Sequence, residues 1–299
     1  PPPNPCLQLA LPNMDLRRCG HLRKADLRGL DLSSTRFDNL DLTGANLAGA
    51  NLRSASMQRV TAIGVNFSRA DMSRMNLQFA VMRDASLKGA LMERADLTGA
   101  VIDRADFTSA ILRGAKMTML YEASRVKFDY ADLEGASVTD CIMPFASFKG
   151  ASLKNAAVED VLVKSSFFQD TRFDGIAFID ASLEGAHLSN CVFDGANMDH
   201  ARMMGANLRG ASFRATMLAE GQMQGADCTD ADFTHAILNI ADFSSATIEG
   251  ASFRGAKLTD ATFFNASVDG ANFRDAIDIM KVDFRGIKGT PLNIQQPVP

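Results

Sequence analysis

The chain has 299 residues, of which 22% are charged and 46% hydrophobic, with a formal net charge of −4 and a pI near 5.6. So mild a charge gives no general attraction to nucleic acid or to a membrane surface. No apolar run approaches the ~18–20 residues of a membrane-spanning helix, and no basic-then-apolar leader marks secretion.

The first residues, Pro1-Pro2-Pro3-Asn4-Pro5, form a stiff lead-in without a Met, as expected of a processed product or a fragment of a longer protein. Leu7, Leu9 and Leu11 alternate, so residues 1–21 are expected to be a linker and N-terminal cap. From Leu22 a large apolar residue returns at every fifth position: Leu22, Leu27, Leu32, Phe37, Leu42 and onwards to Leu112 and Met117, with only Ala62 undersized. This first array covers 22–119. Met117 and the next centre, Phe128, lie eleven residues apart rather than ten, so one residue is inserted in a register break assigned to 120–125. A second array covers 126–276, from Phe128 and Leu133 to Val268 and Phe273. Residues 277–299, with Phe284 and Ile287, are expected to be the C-terminal cap and tail. Together the arrays hold about fifty pentads, a repeat short enough to set the architecture.

A period of five is neither the 3.6 of a helix nor the 2.0 of a long strand. Within each pentad the centre and the residue two before it, usually Ala, point the same way, as alternate residues of a very short strand do. The next two residues, often Gly, Ser or Asn, turn a corner. Four such sides close a square of twenty residues. Sampling at that interval gives Phe173, Phe193, Phe213, Phe233, Phe253 and Phe273, one internal column of phenylalanines. A neighbouring column is mixed: Val138, Val158, Phe178, Met198, Leu218, Leu238 and Leu258.

Repeats such as Ala95-Asp96-Leu97-Thr98-Gly99, Ala206-Asn207-Leu208-Arg209-Gly210 and Ala241-Asp242-Phe243-Ser244-Ser245 resemble those of pentapeptide-repeat proteins, over about residues 20 to 276. The resemblance implies an all-β fold, a right-handed quadrilateral β-helix. About twelve coils at ~4.8 Å would give a solenoid roughly 60 Å long.

Chemistry is not expected within such a chain. Cys6, Cys19, Cys141, Cys191 and Cys228 have neither metal nor disulfide spacing; Cys141, Cys191 and Cys228 fall on inward repeat positions and read as small core residues, as expected in a reducing compartment. His21, His187, His200 and His235 lack neighbouring ligands at metal spacing. A β-helix this narrow is filled by its own side chains. The expectation is therefore no catalytic residue, no cofactor, no metal, no small-molecule substrate and no direct nucleic-acid contact.

Function is left to the outward positions. The preferred site is an apolar interaction patch of Ile142, Phe145, Leu162 and Phe167, close to Leu120 and Tyr121 of the break. Val81 with Val101, and Leu91 with Ile111, are further outward apolar pairs. An acidic stripe runs through Asp140, Asp160, Asp180, Glu220 and Asp260, interrupted by His200 and Ile240. Its plain explanation is that Asp suits a corner by bonding the local backbone. A basic face contains Arg53, Arg74, Arg94 and Arg113, in a half (residues 1–150) with 19 Lys and Arg against 16 Asp and Glu. These features favour a non-catalytic scaffold for protein partners, a module of a larger bacterial protein such as a secreted effector or secretion-system component. End-to-end or cap-mediated self-association is a further option. Cytoplasmic location or delivery by a secretion system is expected. One alternative is a DNA mimic that binds a type II topoisomerase, as the resemblance to quinolone-resistance members implies; another is a targeting rod for a catalytic domain elsewhere.

Overall fold

The computed structural model describes residues 12–19, 22–162, 166–168, 171–173, 176, 178 and 181–294, with the side chains of 159–162 excepted. It comprises two units, Pro1–Ser152 and Leu153–Pro299, built on one local rule. The pentad Ala25–Gly29 shows that rule. Ala25 and Leu27 turn inward and are buried, while Asp26 between them is exposed. Leu27 N–H donates to Asn46 O at 2.8 Å, and Asn46 N–H donates to Ala25 O at 2.8 Å. One residue per side is thereby bridged in parallel to its counterpart twenty residues on, Asp26↔Asn46. Leu30 N–H then reaches back to Leu27 O, closing a β-turn whose third residue, Gly29, has φ +64°. A turn of this kind needs positive φ at that residue, hence the frequent Gly at the pentad's last position.

The other pentad positions follow from the same geometry. Asp or Asn before the centre accepts the backbone N–H two residues on, as in Thr98 N–H to Asp96 Oδ1 (3.0 Å). The Thr98 hydroxyl donates to that same oxygen at 2.6 Å. The small inward position admits Cys or Thr because their S–H or O–H can donate to a turn carbonyl one coil earlier. Cys141 reaches Met117 O at 3.1 Å, Cys191 reaches Phe168 O at 2.6 Å, and Thr216 reaches Phe193 O at 2.7 Å. Cys141, Cys191 and Cys228 are free and buried. Cys19 corrects the cysteine reading: it is disulfide-bonded, so the inference of a reducing compartment loses its ground.

In the first unit the interval is twenty from Asp26↔Asn46 to Asp96↔Lys116, and 21 at Asp106↔Lys127 and Ile111↔Asp132. The inserted residue is Tyr121. Gly99 N–H meets Thr118 O, whereas Ile102 N–H meets Glu122 O, one residue later than the rule requires. Tyr121 N–H folds back on Met119 O at 3.1 Å, which takes up the extra residue. Beside it the chain runs straighter. Strand β1 (Lys116–Thr118) pairs in parallel with β2 (Ser137–Ile142), in the register Met117↔Val138. Leu120 is fully buried at an inward small-residue position, so it fills the core and offers nothing to a partner, contrary to its sequence assignment.

In the second unit, strand β3 (Ala157–Leu162) leads into coils bridged at twenty residues from Phe167↔His187 to Lys257↔Ile277. The expected phenylalanine column is present. Successive rings from Phe173 to Phe273 stack at 4.7–4.9 Å with interplanar angles of 9° or less. A second column, Phe243 on Phe263 at 4.8 Å, meets it edge-on, with Phe243 and Phe253 at 84°. Near the end, Asp278 (φ +59°) precedes a short 3-10 helix, Ile279–Lys281, and bridging continues to Asn272↔Leu292.

Candidate functional surfaces

Ring stacking at one coil per ~4.8 Å leaves no interior room, so any site lies on the outer faces. Among the described residues, no group of three or more His, Cys, Asp or Glu is arranged to hold a metal ion. No helix is long and apolar enough to cross a membrane.

The apolar patch is brought together in part. Ile142 N–H donates to Leu120 O at 2.9 Å, which seats Ile142 beside the insertion. Met119, Tyr121, Ile142 and Phe145 are exposed by 40%, 56%, 40% and 51%, respectively, and so form an apolar edge beside the insertion in the first unit. The Arg125 guanidinium lies 6.0 Å from the Phe145 ring centroid, on that ring's face. Phe167 belongs to the second unit, where its exposed ring stacks on His187 at 4.9 Å. The Leu162 side chain lies outside the described residues.

The acidic stripe is discontinuous. Asp140 falls in the first unit, while Asp180 and the Asp160 side chain lie outside the described residues. Glu220 and Asp260 occupy corners of one column with φ +57° and +56°, but Ile240 stands between them.

The basic face forms a distinct hollow. Arg53, Arg74, Arg94 and Arg113 line one surface groove of about 430 Å³, with Ser73, Glu93 and Gly114. Arg53 Nη1 is 3.1 Å from Asp71 Oδ2. Arg113 Nε is 2.6 Å from Asp132 Oδ2, and its Nη2 is 3.8 Å from Glu134. Burial alone would raise the Asp71 carboxyl, but the Ser73 hydroxyl and N–H together with Arg53 hold it below the ordinary carboxylate range.

Sequence reasoning named Phe145 but missed two other aromatics at corners, Phe79 and Tyr130. Phe79 (φ +58°) is 43% exposed and lies over Gly99, where an added Cβ would sit 2.5 Å from its ring. Tyr130 lies over Gly150 in the same way, at 2.7 Å. The available signal was an aromatic corner followed twenty residues later by Gly.

Fold and surface together define a β-helical solenoid whose interior is closed and whose variation is confined to its faces. The pentapeptide repeats family matches eight segments: 21–59, 35–74, 80–118, 124–161, 171–210, 211–250, 226–263 and 241–277. The chain therefore belongs to the pentapeptide repeat family. Among solved structures it is similar to HetL, a pentapeptide repeat protein involved in heterocyst differentiation regulation from the cyanobacterium Nostoc sp. strain PCC 7120. The identity is 22%, over 91% of this chain and 93% of that one, with a TM-score of 0.23. A pentapeptide repeat protein of the Arabidopsis thaliana thylakoid lumen is 26% identical over 35% of this chain and 69% of its own, with a TM-score of 0.20. QnrB1, a plasmid-mediated fluoroquinolone resistance protein, is 15% identical over 95% of this chain and 91% of its own, with a TM-score of 0.23. These superpositions are too loose to carry an argument. No curated protein matches the sequence.

Proposed function

We propose that the chain is a non-catalytic protein–protein interaction scaffold that meets its partner through the apolar edge at Tyr121, Ile142 and Phe145. The observation that supports this reading is the concentration of four exposed apolar side chains beside the inserted Tyr121 of the first unit. Elsewhere on that unit the outward positions are largely Asp, Asn, Ser and Arg bonded to their own backbone or to each other. Clustered apolar surface on a polar background is the usual mark of a protein contact. The test is capture of cross-linked partners by wild type and by an Ile142→Asp/Phe145→Ser variant of unchanged circular dichroism. A loss of at least tenfold in partner recovery is expected, and equal recovery refutes the assignment. Phosphate mimicry calls for an unbroken acidic line. With exposed Ile240 between Glu220 and Asp260, gyrase supercoiling is expected to be unaffected at micromolar protein.

A further inference from the structure

Most arginines of the chain that carry a described contact are spent on a carboxylate. Arg28 is held by Asp26, Arg104 by Asp84 and Arg214 by Asp232, at 2.6–2.9 Å. Arg74 and Arg94 are different. Neither has a carboxylate oxygen within 4.0 Å among the described residues, yet they occupy successive corners of one column, at φ +58° and +55°. Their backbones are thus one coil apart, ~4.8 Å, with side chains leaving in the same direction. Two like charges are stacked in this way with no counterion of their own.

The surroundings of this pair are a built hollow. The next corner of the column is Gly114, whose absent side chain leaves the rung open, and the Arg94 stem lies 3.6 Å from where a Cβ would project. Arg53 and Arg113 flank the pair one coil before and one coil after it. They are anchored by Asp71 and Asp132, carboxylates that do not line the groove, so their guanidinium heads are fixed in place before any ligand arrives. The lining carries four guanidinium groups against the single carboxylate of Glu93, in a volume of about 430 Å³. That size lies within the range of small-ligand sites. A guanidinium offers N–H groups in a planar fork matched to the paired oxygens of a phosphate.

We propose that this groove is a binding site for a diphosphate group, with Arg74 and Arg94 each taking one phosphoryl and Arg53 and Arg113 closing the two ends. Two phosphoryls joined by a bridging oxygen present charge along the axis on which the coils stack, as the arginine pair does, whereas one phosphate can face only part of the column. Glu93 works against the ligand and lowers its affinity. The site therefore makes predictions of opposite sign for neighbouring residues.

Isothermal titration with inorganic pyrophosphate at low and at physiological salt tests this. The variants are Arg74→Gly/Arg94→Gly, Glu93→Gln and, as a distant charge control, Arg28→Gln. Glycine is used because both corners have positive φ, so the replacement does not strain the backbone. Saturable one-to-one binding is expected for wild type, at least tenfold weaker for the double variant, several-fold tighter for Glu93→Gln and unchanged for Arg28→Gln. A parallel titration with ADP separates the sources of the group. Equal affinity assigns free diphosphate, and tighter ADP binding assigns a nucleotide; both support the site. No binding at millimolar pyrophosphate overturns the proposal. So does binding that survives loss of Arg74 and Arg94, or a loss matched by Arg28→Gln, since each means that no localised site exists.

Discussion

Gly49 and Gly99 occupy equivalent corners with the same φ of +67°, but a Cβ added at Gly49 meets nothing within 4 Å, while at Gly99 it meets the Phe79 ring at 2.5 Å. Replacing each by Ala therefore separates backbone strain from packing. Left-handed Ala costs about 1 kcal/mol relative to Gly at either position. At position 99 the ring must also leave its rotamer or lift off the next coil, and a displaced side chain adds about 1 kcal/mol. The expected penalties are thus about 1 kcal/mol for Gly49→Ala and about 2 kcal/mol for Gly99→Ala. In Phe79→Ala/Gly99→Ala the packing part should vanish, because the obstructing ring is gone. Unfolding of a solenoid need not be all-or-none, so the suitable assay is native-state hydrogen exchange. The amides to follow are Phe79 N–H, bonded to Thr98 O, and Gly99 N–H, bonded to Thr118 O, both at 2.9 Å. The difference corresponds to about fivefold faster exchange for Gly99→Ala than for Gly49→Ala at the matching amides. Equal protection in the two variants, or no recovery on removing Phe79, would refute the view that corner side chains lie across the coil that follows.

Other parts of the structure yield predictions of the same kind. Phe213 is fully buried and sandwiched at 4.8 Å between Phe193 and Phe233, so Phe213→Ala is expected to cost about 3–5 kcal/mol, read as a lowered urea midpoint for the second unit. Burial raises the Asp96 and Asp106 carboxyls, but the hydroxyl and N–H of Thr98 and Thr108 outweigh it and leave both below their ordinary value. Their stabilisation is complete above the unfolded-state pKa near 4 and is lost as pH falls through the lower folded value. The urea midpoint should hold from pH 7 to about 5 and drop below pH 4, less steeply in Asp96→Asn/Asp106→Asn. Burial pushes the Cys141 thiol up to about 12 and the Cys228 thiol higher still, so neither should react with a thiol reagent at pH 8 until the chain is unfolded.

The four-sided coil was legible because each column repeats one residue class at an interval of twenty, and the phenylalanines from Phe173 to Phe273 needed no contact information to be aligned. The insertion could be confined to 118–127 by counting, but not its inner and outer faces. Leu120 and Tyr121 are adjacent apolar residues, and only the hydrogen bonds of Glu122 and Met119 show that Tyr121 is the extra one and Leu120 part of the core. The basic line was likewise visible as Arg53, Arg74, Arg94 and Arg113. Which two are neutralised depends on carboxylates of other coils, Asp71 and Asp132, at intervals of 18 and 19 that the column rule does not single out. Cys19 escaped because spacing says nothing about a bridge when the fold of the terminal segment is not known.

The corner column decides how the arginine pair should be understood. Positive φ costs a side-chain-bearing residue about 1 kcal/mol relative to Gly, so a charged residue there needs a compensating contact. One corner column supplies it internally: Asp84 and Arg104, twenty residues apart, meet through two hydrogen bonds of 2.7 Å. Arg74 and Arg94 have the same offset and the same local backbone, with the first partner carrying the wrong sign. Arg74→Asp should therefore recreate the Asp84–Arg104 geometry two columns away. It is expected to raise the urea midpoint of the first unit, most clearly at low salt, and to abolish pyrophosphate binding. If these corners served stability alone, the paired arrangement would be the better choice, and the loss of binding is what distinguishes the two roles. An Arg74→Asp variant that is less stable than wild type would show that the two columns are not equivalent. One that is more stable and still binds pyrophosphate would show that the stacked arginines are not what holds the anion.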